Sequence, residues 1–372
     1  MKIRTTIFAA SAAAIIASCA QVAETTAING VVVPEGLDAV NIVIKGKVDT
    51  LIPVKDGKFT VELPTDMCAL ASASAGQYAV NFIPDGTKLA VVIDEESTVK
   101  SSSPKISVQE KFNAMTEKDK AFGEEYTAKR REILSDESMS DEERQEAYEE
   151  YYESFMETYS AYYTDLLDDN KDNILAVLAL DNLRYELEDE EIVGKIAALA
   201  PELREHDYVK AMRKAVEARI ETAEGKMFKD FTVETVAGTT RSIPPKPVYR
   251  TVKFSDYVGK GKYVLVDFWS PWCGPCKREM PNIKAIYEKY KGDRFDVLSI
   301  AVWERQGFEV TLNTANELGM TWNQINNAKS VPTEIYGIEG IPHIMLVGPD
   351  GTILKRGLYG EALAEAVAEY LD

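Results

Sequence analysis

Cys273 and Cys276, in the run Trp272-Cys273-Gly274-Pro275-Cys276, are the residues of this chain best suited to covalent chemistry. They follow an apolar run, Tyr263 to Phe268, interrupted only by Asp267, and open an amphipathic stretch that continues to about Tyr290. That order reads as a buried strand, a tight turn and the start of a helix. A sulfur at a helix N-terminus meets unpaired N–H groups and the positive end of the dipole, which lower its pKa. Thiolate then exists near neutral pH, and thiolate is the species that attacks a disulfide. A second sulfur one turn further on can resolve the mixed disulfide and release the attacked partner. Two other uses of the pair remain open at this point. A structural disulfide would not need the strand–turn–helix setting, and a zinc site needs four ligands. No second Cys-x-x-Cys occurs, and His206 and His343 are the only histidines.

The other two of the four cysteines, Cys19 and Cys68, are read singly, because four are too few to staple 372 residues. Cys68, beside Met67, Ala69 and Leu70, is expected to be a buried, reduced small hydrophobe. Residues 1–18 read as an export signal: Lys2 and Arg4, then an uncharged Ala- and Ile-rich stretch from Thr5 to Ala17, too short and too weakly apolar for a comfortable membrane span. The ending Ile16-Ala17-Ser18-Cys19 resembles the lipobox of bacterial lipoproteins, which implies lipidation of Cys19 as the new N-terminus; an ordinary secretory signal cut nearby is the alternative. Removing residues 1–18, which carry two positive charges and no negative ones, would take the formal charge from −19 to −21. No second long apolar run follows, so the expected attachment is to a membrane surface rather than across it. The acidic balance argues against nucleic acid as a partner and names no other.

The elements that must position the dithiol occupy the last part of the chain. Residues from about 27 to 100 read as short strands, Val40–Ile44, Val48–Val54, Lys58–Leu63, Tyr78–Ile83 and Leu89–Ile93, with Asp56-Gly57 and Asp85-Gly86 as turns. Ser101 to Pro104 reads as a linker. From about 107 to 224 the pattern is helical. Tyr148, Tyr152, Phe155, Tyr159, Tyr162 and Leu166 recur at spacings of 4, 3, 4, 3 and 4, an aromatic stripe expected to be core rather than an interaction surface. Asn173–Leu183 and Tyr208–Ala223 are further helices, and His206 reads as a solvated side chain without metal or nucleophile partners. From Gly225 on, strand and helix alternate: strands at 263–268, 295–302, 344–347 and 352–355, and helices from Cys276, near 310–318 and at 361–371. This is β-α-β followed by β-β-α, a mixed sheet with helices on both faces.

The run from Val266 to Lys277, VDFWSPWCGPCK, resembles the active-site segment of thioredoxins, and its continuation Arg278-Glu279-Met280-Pro281 resembles the TlpA/ResA group of envelope thioredoxin-like proteins. The likeness spans residues 225–372, about 40% of the chain. The preceding β and helical parts resemble, by composition alone, the accessory portion of some bacterial lipoproteins. The resemblance implies Cys273 as nucleophile, Cys276 as resolving thiol, and Asp267 as a buried acid of raised pKa that takes a proton from Cys276. It implies that Trp272 shields the sulfurs and offers an apolar surface to substrate, and that Pro281 kinks its helix. It also implies that Pro342, in Gly340-Ile341-Pro342-His343, is a cis-proline facing the disulfide and exposing the Ile341 backbone to an extended substrate. Two residues depart from the family. His343 replaces a common threonine and reads either as solvent-facing, the favoured case, or as tuning the sulfur charge; Asp267 stands where many TlpA-like proteins have Asn. Pro244, Pro245 and Pro247 mark an enlarged loop from Thr240 to Thr251.

The expectation is a multidomain chain: signal peptide 1–18, small antiparallel β-domain 19–105, helical region 106–224 and α/β thioredoxin-like domain 225–372. Its expected activity is thiol-disulfide exchange on exported proteins, as reductant or isomerase, without cofactor or metal. A membrane electron-donor protein would resupply it, and the lipid anchor would place it in the cell envelope facing the periplasm, with the outer membrane favoured over the inner. The alternative is a redox-sensing envelope lipoprotein whose dithiol switches partner binding. A copper-handling role would need ligands beyond the dithiol.

Overall fold

A computed structural model describes residues 24–103, 107–243 and 246–372. Cys19, the export segment, Pro104, Pro244 and Pro245 lie outside the described residues. The chain divides into two compact units between Asn182 and Leu183.

The first unit begins with β1 (Thr25–Val32), β2 (Ala39–Ile44), β3 (Val48–Pro53), β4 (Lys58–Pro64), β5 (Ala71–Ala75), β6 (Tyr78–Phe82), β7 (Lys88–Ile93) and β8 (Thr98–Ser101). They form two four-stranded sheets, ordered β4-β1-β7-β8 and β3-β2-β5-β6. Alternating residues such as Val40, Ile42 and Ile44 of β2 are buried with Ile28, Phe59, Phe82 and Leu89 in one core. Asp56 and Gly57 both have positive φ, 48° and 70°, as a type I′ hairpin turn requires. One pairing departs from the expected antiparallel arrangement: β1 runs parallel to β7. The local turns join neighbours in sequence, whereas β1 reaches β7 across more than fifty residues, and no turn signature announces such a pairing. β1 also escapes a strand reading because Asn29-Gly30 breaks its apolar alternation. Gly30 is nonetheless required, since it pairs directly with Phe59, whose ring would lie 2.0 Å from a Cβ there.

Three helices complete this unit: α1 (Val108–Leu134), α2 (Asp141–Asp168) and α3 (Ile174–Leu183, whose last residue falls in the second unit). Ser140 and Glu143 form a capping box at the start of α2. The aromatic stripe of α2 packs on α1, where the Phe122 ring lies 5.2–5.8 Å from Phe155, Tyr159 and Tyr162. Full burial is reserved for Tyr163 and Leu167, while Tyr152 stays 40% exposed. Cys68 is half-buried rather than enclosed, its Sγ 3.8 Å from the Asp172 carbonyl oxygen, because it sits in a turn after β4 and not in a strand.

The second unit contains α4 (Asp189–Ala197), α5 (Pro201–Arg204), α6 (Asp207–Glu221), β9 (Thr232–Thr239), β10 (Pro247–Lys253), β11 (Tyr263–Trp269), α7 (Gly274–Tyr290), β12 (Phe295–Ala301), α8 (Phe308–Glu317), β13 (Asn323–Ile325), α9 (Val331–Tyr336), β14 (His343–Val347), β15 (Ile353–Arg356) and α10 (Glu361–Leu371). Its five-stranded sheet has the order β13-β12-β11-β14-β15. The first three strands are mutually parallel, and β14 and β15 are antiparallel to their neighbours. Successive residues of β11 feed opposite cores: Val264, Val266 and Phe268 join Tyr336 on one face, Leu265 and Trp269 join Cys276, Ile283 and Leu363 on the other. Both faces of the sheet are therefore covered, the thioredoxin-like α/β arrangement. Pro247 opens β10, which pairs antiparallel with β9.

His206 is not merely solvated, because its Nδ1 accepts from the Tyr208 N–H at 3.3 Å as the N-cap of α6. From α6, Val209, Met212 and Val216 are buried. Gly337 ends α9 with φ 62°, and a Cβ there would lie 2.2 Å from the Ala215 carbonyl oxygen of α6. Gly337→Ala is expected to lower stability by about 3 kcal/mol, combining a left-handed backbone with a backbone collision; chemical denaturation checks this.

Candidate active site

The dithiol sits where β11 ends and α7 begins. Cys273 is the N-cap of α7, and the Cys276 N–H donates to its Sγ at 3.1 Å. That donor, with the helix dipole behind it, favours charge on the Cys273 sulfur. The two sulfurs are joined as a disulfide, with Cys273 4% and Cys276 1% exposed. The small difference follows from position, since Cys276 lies one turn into α7 and faces the core. Pro281 lies inside the same helix.

Across from the sulfurs the Ile341–Pro342 peptide bond is cis, and the Ile341 carbonyl oxygen lies 3.7 Å from Cys273 Sγ. Trp272 is 37% exposed, its Nε1 donating to the Trp303 carbonyl at 2.9 Å, and the Arg305 guanidinium stacks on its ring at 3.9 Å. The indole is thus a fixed platform rather than a loose cover.

Asp267 is buried in the middle of β11. Burial pushes its pKa from 3.8 up to about 7; the Glu279 charge adds to the rise and the Ser299 hydrogen bond opposes it. Ser299 Oγ donates to Asp267 Oδ2 at 3.0 Å and accepts from Trp322 Nε1 at 2.9 Å. Ser299 is the β12 residue directly beside Asp267 in the sheet. Glu279, on α7, is held by the Gly360 N–H at 3.1 Å and Asn282 Nδ2 at 3.0 Å. A carboxyl that titrates near neutrality can both accept and return a proton there.

Sequence reasoning overlooked Ser299, Trp322 and the inward orientation of Glu279. Ser299 carries the same signal that singled out Asp267, a lone small polar residue inside an apolar run. His343 is half-buried rather than solvent-facing, because its position beside Phe268 in the β11–β14 pair turns it into the sheet. Its ring lies 6.2 Å from Phe268, and Nε2 is 3.4 Å from Arg356 Nη2, which can only donate. Burial first, then the Arg356 charge, push its pKa down to about 3, so the imidazole is neutral at physiological pH.

A mixed five-stranded sheet with a Cys-x-x-Cys pair at the head of its central helix and a cis-proline opposite defines a thioredoxin-like redox domain. The profile of the AhpC/TSA family matches residues 225–356. Thiol-disulfide oxidoreductase ResA of Geobacillus thermodenitrificans is 27% identical over 154 residues, 39% of this chain and 84% of that protein. The thioredoxin domain of a thiol-disulfide oxidoreductase from Bacteroides vulgatus is 29% identical, with 40% of this chain and 99% of that one covered and a TM-score of 0.34. A thiol:disulfide interchange protein from Bacteroides sp. is 28% identical, covering 41% and 91%, with the same TM-score of 0.34. The C-terminal part of this chain is therefore an AhpC/TSA thioredoxin-like domain related to the ResA/TlpA-type thiol-disulfide oxidoreductases, with Cys273 and Cys276 as its redox pair.

Proposed function

We propose that this protein reduces disulfides of exported proteins in the cell envelope, as a membrane-anchored lipoprotein held through Cys19. The observation that carries the reading is the combination at one point of a helix-capping Cys273, a buried Asp267 that titrates near neutrality, and the Ile341 carbonyl facing the sulfur. In the reduced protein the Cys273 thiolate attacks one sulfur of a substrate disulfide; a mixed disulfide forms and the other substrate sulfur leaves as thiolate. Asp267 takes the proton of Cys276, whose thiolate then attacks Cys273 Sγ. The Cys273–Cys276 disulfide forms, the substrate leaves as a dithiol, and two electrons have passed to it. Trp272 and the Ile341 backbone hold the substrate segment in an extended form across the sulfurs. A dithiol protein of the membrane returns two electrons to the Cys273–Cys276 disulfide.

Gly274 and Pro275 between the sulfurs favour a reducing couple, by analogy with thioredoxin at about −270 mV. Equilibration of the purified protein with glutathione or dithiothreitol buffers is expected to give a potential near that value. A result above about −150 mV, toward the strongly oxidising end of the scale, would sink the reductant reading. Insulin reduction by the wild type separates an enzyme from a redox-sensing lipoprotein, which would show none.

A further inference from the structure

We propose that Arg278 and Arg305 form a cationic rim around the dithiol that selects disulfides flanked by acidic side chains, an inference that rests on the oxidoreductase reading above. Arg305 stacks 3.9 Å over the Trp272 ring, directly beside Cys273. Arg278 Nη1 lies 3.6 Å from where a Cβ on Gly274 would sit, so this guanidinium folds back over the turn between the two cysteines. Both arginines are exposed, and among the described residues neither has an ion-pair partner.

Three nearby carboxylates are turned to other groups, although Glu304 keeps one buried oxygen, Oε1, without a hydrogen bond. Glu279 is held by the Gly360 N–H and Asn282. Glu304, next to Arg305 in sequence, is half-buried and accepts from the Lys329 N–H at 3.1 Å. Glu339 pairs with Arg219 at 2.7 Å and Arg184 at 3.4 Å. Two uncompensated guanidiniums thus border the reactive sulfurs in a chain where 61 acidic residues outnumber 42 basic ones. Remote acids matter little at the rim, because charges beyond about 10 Å are largely screened at 0.1 M salt. A guanidinium matches a carboxylate with two parallel hydrogen bonds, and Arg305 is already ordered by its stacking. An extended segment pairing along Ile341 would carry its Asp or Glu side chains into reach of both.

The test uses the full-length reduced protein and three peptides that share one disulfide and differ only in flanking Asp, Ser or Lys residues. At low salt kcat/KM for the Asp peptide is expected to exceed that for the Lys peptide about 10-fold, the ratio shrinking toward one near 0.5 M salt. In the double variant Arg278→Glu, Arg305→Glu the preference should invert. A ratio near one in the wild type overturns the rim. So does a double variant that changes all three peptides by the same factor, the mark of an altered Cys273 pKa instead. Binding of the same peptides to the oxidised protein, followed by tryptophan fluorescence, repeats the comparison without turnover. If not even the Ser peptide is reduced, the oxidoreductase reading fails, while the rim stands or falls on the binding ratio of Asp to Lys peptides.

Discussion

Asp267→Asn is expected to stabilise the folded protein at pH 8 by a few kcal/mol and to leave it nearly unaltered at pH 4. Burial raises the Asp267 pKa from 3.8 to about 7, so the folded chain holds a proton over a range in which the unfolded chain has lost it. The stabilising contribution is therefore complete below the unfolded value and is lost as pH rises through about 7. At 1.36 kcal/mol per unit the loss is at most about 4 kcal/mol. Asparagine cannot ionise, and its Oδ1 can still accept the Ser299 hydrogen bond. His343 acts with the opposite sign: its pKa is pushed from 6.5 down to about 3, so its contribution is present above 6.5 and lost as pH falls. Between about pH 4 and 6.5 the two slopes oppose each other in the wild type. Denaturant melts of Asp267→Asn should consequently show stability rising with pH across that interval. A difference between variant and wild type that does not grow from pH 4 to pH 8 would refute the assignment. The same variant is expected to slow disulfide reduction about 100-fold, the lower end for loss of a general base. Greater stability and poorer turnover would then share one cause, the cost of keeping an ionisable group in an apolar strand.

Cys276→Ala should convert the protein into a trap. With Cys273 capping the helix and receiving the backbone N–H of residue 276, the attacking sulfur keeps its activation when the second sulfur is removed. The mixed disulfide forms and has nothing to resolve it. Turnover is expected to fall at least about a thousandfold, because the two sulfurs act as a unit. Adducts should accumulate in cells and run as higher-mass species on non-reducing gels. Cys273→Ser should lose turnover equally and capture nothing. Adducts on the serine variant, or none on the alanine variant, would place the nucleophile elsewhere.

Much of the redox site was legible because its chemistry demands unusual residues in usual places. A dithiol after an apolar strand and an acid within that strand both break the pattern around them. The same rule, applied to β12, would have found Ser299. What stayed hidden depends on partners distant in the chain. Glu279 looks like any helical acid until Gly360 approaches it. His343 reads as solvent-facing until its pairing with Phe268 turns it into the sheet. Arg305 gains meaning only from Trp272, thirty-three residues earlier. In the β-rich part, Val- and Ile-rich strands flanked by Asp-Gly turns are readable, whereas β5, built of Ala and Ser, has little intrinsic strand preference. Its Ala71, Ala73 and Ala75 are buried, and β5 is held as a strand by pairing with β2 and β6.

The close approach of α6 to Gly337 bears on where a working fragment can be cut. The match to the AhpC/TSA family starts at residue 225, but Arg356 Nη1 donates to the carbonyl and hydroxyl of Thr222, at 2.9 and 3.0 Å. Lys214 reaches Glu334, and Arg219 reaches Glu339, three residues before the cis peptide bond. A fragment opening at residue 225 would bare the surface under Ala215 and strip the half-buried Arg356 guanidinium of two acceptors, at a cost of about 1–3 kcal/mol for that group alone. One opening at Leu183 carries its own lining. The helices upstream of the catalytic fold are in that sense its scaffolding, inherited with it or rebuilt by whoever trims it.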